Sequence, residues 1–399
     1  MNLFVFILNK AIKPTVMITA GLLCASMVFM SVSYHNSFAA AENYDNILSS
    51  FSNAEEGFII SKAQSTALSD NTREIYSRAD KYISSHKHNG VPAPLPDSMV
   101  DEIIAARSES TSYNSVYTLM SSQLFSQAVS RKLITERTEG YSRNIRRGVT
   151  DEFSLRTAEK MTDDYTEVLI NEENADKVYD TRAADNFTDF MSSELISYLG
   201  IFMLTFPLFS SELQSRRFAA IKATATGPKK FTAARAFVGL LQSAAFFTLW
   251  YFSLAAAAVI SSGGGILSMP VQYLKGYELS HLPLSFGGFI MYMYALKLIH
   301  LLALCAASML LSLLSAKVIL SALASGLTAV LFRAAGRIGG AAGQILSCDI
   351  SKMSRDINFI DLSSTPMQIP VVFCAVMILF ALACLLLTVL LSERRRAYV

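Results

Sequence analysis

Apolar residues are distributed unevenly along the 399-residue chain. Residues 1–34 and 190–399 are strongly apolar, whereas residues 40–187 have the composition of a soluble protein. A bilayer core about 30 Å thick needs roughly 20 apolar residues for each helix that crosses it. The pattern therefore predicts an all-α membrane protein with six transmembrane helices and a mostly helical extracytoplasmic domain between the first and the second.

Turn-forming and charged residues divide the apolar regions into six predicted spans. These spans are residues 15–33, 195–209, 236–261, 295–314, 318–332 and 370–391. Pro207 predicts a kink in the second span, which a membrane helix tolerates where neighbours satisfy the freed carbonyl group. The apolar run 286–315 is too long for one straight crossing. Tyr292 and Tyr294 within it favour an interfacial segment before the fourth span.

The N-terminal segment allows two interpretations. Residues 1–34 form an amphipathic interfacial helix and the first span, or they form a signal peptide cleaved near Ala39-Ala40-Ala41. The apolar run exceeds an ordinary signal core, which favours a retained anchor. The chain then divides into residues 1–34, an extracytoplasmic domain at 35–187 and a transmembrane domain at 188–399.

Residues 35–187, called the insert below, show helical periodicity of apolar residues, for example from Leu155 to Val178. Pro92, Pro94 and Pro96 predict a stiff break between two helical parts. The insert contains no cysteine, so a helical core has to hold it together without disulfide bonds. Acidic residues outnumber basic residues in it, which argues against nucleic-acid binding.

A basic segment at 210–235 separates the second and third predicted spans. Its basic residues are Arg216, Arg217, Lys222, Lys229, Lys230 and Arg235, against the single acid Glu212. Because Lys and Arg resist translocation, this segment marks the cytoplasmic side. The arginines at 394–396 place the C-terminus on the same side. Six spans then predict a multi-pass protein of the cell membrane with both termini in the cytoplasm.

This plan resembles the permease subunits of ABC-2 type transporters. Two local patterns carry the resemblance. The first is an acidic residue, a basic cluster and a proline-containing turn, at Glu212, Arg216-Arg217 and Gly227-Pro228. The second is residues 282–286, Leu-Pro-Leu-Ser-Phe, before the fourth span. The chain departs from the pattern soon after the acidic residue, where many relatives have a glycine and this sequence has Arg216, Phe218 and Ala219.

The resemblance implies an exporter permease that pairs with a second permease, identical or not, and with a separate ATP-binding subunit. A helix at 210–226 would seat on that ATPase and pass its closure to the membrane helices. The coupling residues would be Glu212, Arg216, Arg217, Lys222 and Pro228. The sequence contains no G-x-x-x-x-G-K-[ST] phosphate loop, so we expect no cofactor in this chain and ATP bound by the partner.

Lys297 and His300 lie three residues apart, hence on one face of the fourth predicted helix. Ionisable residues inside a membrane typically line a pathway, which makes this pair a candidate substrate path. Alternatively, Lys297 lies at the outer interface and extends its ammonium group to water. Small residues at Ser321/Ser325 and at Gly339-x-x-x-Gly343 predict close helix packing, within one subunit or between two.

Other chemistry has weak signals. His86-Lys87-His88 has no carboxylate or cysteine beside it and favours a solvated turn over a metal site. The sequence has no G-x-S-x-G or H-E-x-x-H motif, so a membrane-embedded enzyme lacks a catalytic constellation. The alternative to an exporter is a non-transporting membrane protein whose extracytoplasmic domain senses or binds a ligand.

Overall fold

The structure is a computed structural model. It describes residues 54–85, 87–88, 91–92, 95–148, 151–173, 179–193, 195–215, 217, 221, 227–262, 264–315, 317–335, 344–345, 350–355, 359–362 and 365–394. The predicted interfacial helix, first span and cleavage site lie outside these residues, and so does Gly339-x-x-x-Gly343.

Helices dominate the described residues. They are α1 Ala54–Ser85, α2 Asp97–Arg146, α3 Glu152–Glu173, α4 Arg182–Ser193, α5 Leu195–Thr205, α6 Pro207–Gln214, α7 Gly227–Ser262, α8 Phe286–Leu314, α9 Val318–Ala335, α10 Ile350–Arg355 and α11 Ile369–Arg394. The 3₁₀ helices are η1 Gly264–Ser268 and η2 Val271–Tyr273. The strands form two antiparallel hairpins, β1 Lys87–His88 with β2 Val91–Pro92 and β3 Phe359–Leu362 with β4 Thr365–Gln368.

Three described helices, α7, α8 and α11, are long and apolar enough to cross a membrane. A fourth crossing is present if α4 and α5–α6, which meet at a bend of 42°, count as one broken span. Helix α9 is apolar but has only 18 residues, about 27 Å of helix. The chain is thus a largely helical protein with membrane-length helices, and six spans remain a prediction.

The insert is mostly helical within the described residues, as the sequence predicts. Helices α1 and α2 pack against each other, and α2 with its 50 residues is about 75 Å long. Between them, at the predicted proline break, the chain forms the β1–β2 hairpin, in which Pro92 lies opposite Lys87. Helix α3 packs on the second half of α2 around a small core of Ile134, Met161, Tyr165 and Val168.

Helix α8 is the centre of the membrane bundle. It contacts α5, α6, α7, α9, α10 and α11, and 72% of its most apolar stretch is buried, against 17% for α11. The close approach of α5 to α7, and of α7 to α8, depends on a glycine at each contact. A Cβ atom on Gly200 would lie 2.2 Å from Phe246 Cε1, and one on Gly239 would lie 2.6 Å from Met309 Cε. Helix α11 instead presents most of its leucines outward, as a lipid-facing helix does.

The predicted interfacial segment and the fourth span form one uninterrupted helix, Phe286–Leu314, and the position of its first part relative to the membrane stays a prediction. Tyr294 packs inward between α7 and α8. Its ring stacks on Phe247 with centroids 5.8 Å apart, and its hydroxyl group is hydrogen-bonded to Thr248 Oγ1 at 2.7 Å. Aromatic residues suit both an interface and a tight helix contact, so composition alone did not separate the two.

The connection between α6 and α7 is shorter than the predicted basic segment 210–235, because α7 begins at Gly227. Gly227, with φ of +67°, and Pro228 begin α7. Proline suits a first helical turn because the N–H group it lacks has no partner at that position. Lys229, Lys230 and Arg235 therefore lie on α7, and residues 215–226 connect it to α6.

One end of the bundle, called the basic end, brings together the ends of four helices. Lys229 Nζ lies 2.9 Å from Glu393 Oε2, which joins the start of α7 to the end of α11. The Val318 N–H group donates to Gln214 Oε1 at 3.2 Å, which joins the start of α9 to the end of α6. The start of α7 and the end of α11 thus lie at the same end of the bundle, and which side of a membrane this end faces stays a prediction.

The insert packs at the opposite end of the bundle. Asp185 Oδ1 accepts the backbone N–H group of Lys275 at 2.8 Å. The Tyr165 hydroxyl group donates to the Leu279 carbonyl oxygen at 3.4 Å. Both loop residues lie between α7 and α8, at the far end of α7 from Lys229. Helix α7 has 36 residues and is about 54 Å long. The insert and the basic end are therefore farther apart than the thickness of a bilayer core, about 30 Å.

This separation predicts that an impermeant thiol reagent reaches the two ends from opposite sides. In a chain whose five native cysteines are replaced, a cysteine at Ser215 and one at Glu159 are labelled separately in intact cells and inverted vesicles. We expect Glu159→Cys to react only in intact cells and Ser215→Cys only in inverted vesicles. Reaction of both cysteines from the same side would rule out the arrangement.

Candidate functional site

The described residues include three of the five predicted coupling residues: Glu212, Arg217 and Pro228. Arg216 and Lys222 lie outside them. The Arg217 side chain is exposed, as a partner contact requires. Pro228 is half-buried in the first turn of α7. The Glu212 side chain is buried and faces Arg235 of α7, and its contact with a partner stays a prediction.

Glu212 forms a buried ion pair with Arg235. The Arg235 Nη1 atom lies 2.9 Å from Glu212 Oε1, and the two side chains are 15% and 6% exposed. The Arg235 guanidinium group also lies 5.6 Å from the centre of the Phe231 ring. Because Glu212 is near the end of α6 and Arg235 is in the third turn of α7, the pair clamps the two helices on either side of residues 215–226.

A second constraint lies at the break between α5 and α6. Pro207 has no N–H group, and α6 begins with it, so the first backbone N–H groups of α6 need partners outside the helix. Ser312 of α8 supplies them. Its Oγ atom lies 2.9 Å and 3.0 Å from the backbone N atoms of Phe209 and Ser210, and it donates to the Phe206 carbonyl oxygen at 2.6 Å. One hydroxyl group thus satisfies both sides of the break.

Further hydroxyl groups extend this contact to α9. Ser321 also donates to the Phe206 carbonyl oxygen, at 2.8 Å. Ser308 of α8 lies 2.9 Å from Thr205 Oγ1 and 2.9 Å from Ser325 Oγ. The Ser321/Ser325 pair is therefore used for packing within the chain, which decides between the two alternatives left by the sequence. Below, the hydroxyl network means Thr205, Ser308, Ser312, Ser321 and Ser325.

The ionisable pair on α8 has structural partners. Lys297 is 3% exposed, and its Nζ atom donates to the Met191 carbonyl oxygen at 2.9 Å. It does not extend to water, and it places a cation at the carboxyl end of α4, where the helix dipole favours one. His300 is 1% exposed, with its ring centre 5.7 Å from that of Tyr198 and 6.0 Å from that of Phe373. A role for either residue in substrate passage remains a prediction.

Metal binding has no support in the part of the chain that the structure describes. No group of three or more His, Cys, Asp or Glu side chains there has the geometry to hold a metal ion. His88 belongs to the β1 strand and lies opposite Val91, while His86 falls outside the described residues. The candidate functional site consists of the connection 215–226, in which Ser215 and Arg217 are exposed, the buried Glu212–Arg235 clamp and the hydroxyl network.

Comparisons of the chain with protein-family models, curated proteins and solved structures find no match.

The hydroxyl network predicts that Ser312→Ala destabilises the protein. The change leaves the N–H groups of Phe209 and Ser210 without a hydrogen-bond acceptor and removes one of the donors to the Phe206 carbonyl oxygen. Because these groups lie in an apolar bundle, the free energy of unfolding should fall by about 1–3 kcal/mol. Titration with sodium dodecyl sulfate in mixed micelles measures it. The matched control is Ser253→Ala, because among the described residues the Ser253 hydroxyl group donates only to the Trp250 carbonyl oxygen of its own helix. Equal effects of the two changes would contradict the proposed capping role.

The clamp predicts a strongly non-additive double-mutant cycle. Glu212→Gln and Arg235→Met each leave one buried charge without its partner, and each should lower the free energy of unfolding by about 3–5 kcal/mol. The double variant should lose clearly less than the sum. The exposed pair Lys229 and Glu393 is the control, where Lys229→Met and Glu393→Gln should cost less than about 1 kcal/mol. Additive losses at Glu212 and Arg235 would rule out the clamp.

Proposed function

We propose that the chain is the permease subunit of an ABC-2 type exporter. In this proposal it lies in the cell membrane with both termini in the cytoplasm and the insert outside. Energy comes from a separate ATP-binding subunit, and a second permease completes the complex. The observation that carries the proposal is the buried Glu212–Arg235 ion pair, which joins α6 to α7 on either side of the basic connection 215–226, at the opposite end of the bundle from the insert.

The clamp supports a route for mechanical coupling. A partner that binds residues 215–226 pushes on α6 and α7 together, because Glu212 and Arg235 hold the two helices at that point. The Phe206 carbonyl group, at the start of α6, accepts a hydrogen bond from Ser312 of α8 and another from Ser321 of α9. A displacement at the basic end is thereby shared by several membrane helices, which is what a rigid-body switch of access requires.

A groove in the insert supports the alternative function, a membrane protein that senses or binds an external ligand. An open groove of about 830 Å³ runs along α1 and the start of α2, lined by Arg78, Lys81, Tyr82 and Met99 among others. It belongs to the insert and lies near the β1–β2 hairpin. A protein that senses an external ligand would present such a groove with charged side chains at its wall. The exporter proposal is preferred because the groove does not account for the clamped basic connection.

The test is co-purification with an ATP-binding subunit. Arg216→Glu with Arg217→Glu reverses two charges on the connection and leaves the Glu212–Arg235 clamp in place. We expect at least a tenfold loss of an associated protein that carries a phosphate loop, measured by mass spectrometry, and the same loss of ATPase activity in the purified complex.

The matched control is Arg146→Glu with Arg147→Glu, an exposed pair of consecutive arginines at the end of α2 in the insert. This variant should retain the associated ATPase. The proposal fails if no phosphate-loop protein co-purifies with the unaltered chain, or if reversal at 216 and 217 leaves the complex intact. Loss of the complex in the control but not in the test variant would favour an interaction through the insert.

A further inference from the structure

The insert meets the membrane bundle along a seam formed by α3, the loop between η2 and α8, and β4. Tyr165 stands at its centre. Its hydroxyl group donates to the Leu279 carbonyl oxygen at 3.4 Å and accepts from Arg137 Nη1 at 3.1 Å. Leu279 and Phe359 pack against the apolar core of the insert. The seam is thus the place where the α1–α3 unit is held on the rest of the protein.

Two buried polar side chains of the seam have incomplete hydrogen bonding. His281, on the loop, is 4% exposed, and Asp164, on α3, is 5% exposed. Asp164 Oδ1 lies 2.5 Å from Lys160 Nζ. Among the residues that the structure describes, His281 Nδ1 and Asp164 Oδ2 have no hydrogen-bond partner. Buried groups left in this condition are costly, so the seam is less stable than its apolar contacts alone would make it.

The other nitrogen of His281 faces the side-chain amide of Gln368, at 3.4 Å from Nε2 to Nε2. The amide N–H group donates to the imidazole when that nitrogen is unprotonated. A second proton on His281 places two donors opposite each other, unless the amide group turns over. The contact therefore suits the neutral form of His281.

The electrostatic surroundings act in the same direction. Burial lowers the pKa of His281 below its usual value, and the ammonium group of Lys160 lowers it further. The Asp164 carboxylate opposes both effects but does not outweigh them. The charged groups that act on His281 are Lys160 and Asp164, both on α3, and Arg137 of α2 is engaged by the Tyr165 hydroxyl group in the same seam.

We propose that the seam is a pH-sensitive latch, which holds the α1–α3 unit on the membrane bundle while His281 is neutral and releases it when His281 is protonated. With the seam open, water surrounds the imidazole and its pKa returns to about 6.5. Docking is therefore strongest above that pH and weakens as the pH falls through it. Each unit by which docking lowers the pKa changes the docking equilibrium tenfold. The latch stands on the seam alone and does not depend on the exporter proposal.

The experiment measures the seam distance in the full chain. Spin labels are placed at Glu159→Cys on α3 and Lys275→Cys on the loop, both exposed positions, in the background without native cysteines. The protein is held in phosphatidylcholine nanodiscs, and double electron–electron resonance is recorded from pH 8 to pH 5. We expect one short distance at pH 8 and a longer-distance population that grows as the pH falls below 6.5. An unchanged distribution over this range would overturn the proposal.

Two substitutions identify the titrating group. His281→Gln removes the titration and should make the distribution independent of pH. Gln368→Glu replaces the opposing donor with an acceptor of nearly the same shape, so it should stabilise protonated His281 and keep the seam closed at pH 5. His88→Gln, in the β1–β2 hairpin, is the control and should open like the unaltered chain. Opening that persists in His281→Gln, or a Gln368→Glu variant that opens as readily as the unaltered chain, would contradict the latch.

Discussion

The structure depends on one constraint, which is that a broken helix inside an apolar bundle must have its backbone groups satisfied by other helices. Pro207 opens the hydrogen-bond pattern between α5 and α6, and a polar backbone group buried in an apolar bundle is costly unless another helix supplies its partner. Ser312 occupies the break as donor and acceptor at once. This contact sets how α6 lies on α8. The position of α6 then determines where Glu212 stands, and with it the clamp to α7.

The buried charges of the membrane bundle serve as joints between helices. Arg235 holds α7 to α6, and Lys297 joins α8 to the end of α4. A buried ion pair contributes little net stability, yet it resists separation, because either charge alone in the interior is costly. Such joints keep helices in register while they move together. In the proposed exporter, transmission of a push from the basic end to several helices would depend on this property more than on extra stability.

The two ends of the bundle differ in how tightly their parts are held. At the basic end the helix ends are joined by ion pairs and by the Gln214 side chain. At the opposite end the insert meets the bundle across a seam with two incompletely bonded polar groups, His281 and Asp164. The insert is thus attached by contacts of modest strength. Regions of this kind open at a lower free-energy cost than the core. Regulated motion is usually found in such regions.

The sequence by itself determined the helical class, the apolar stretches, the helical insert, the break at Pro207 and the close packing at Ser321 and Ser325, because each follows from local periodicity or composition. The sequence did not reveal that Glu212 pairs with Arg235. The hydroxyl network did have a signal in the sequence, because the four-residue spacing of Ser308 and Ser312 places both on one face of α8. Whether a charge faces a partner or a neighbouring helix depends on how helices far apart in sequence rotate against each other. Only the tertiary structure decided that, because packing of side chains sets those rotations.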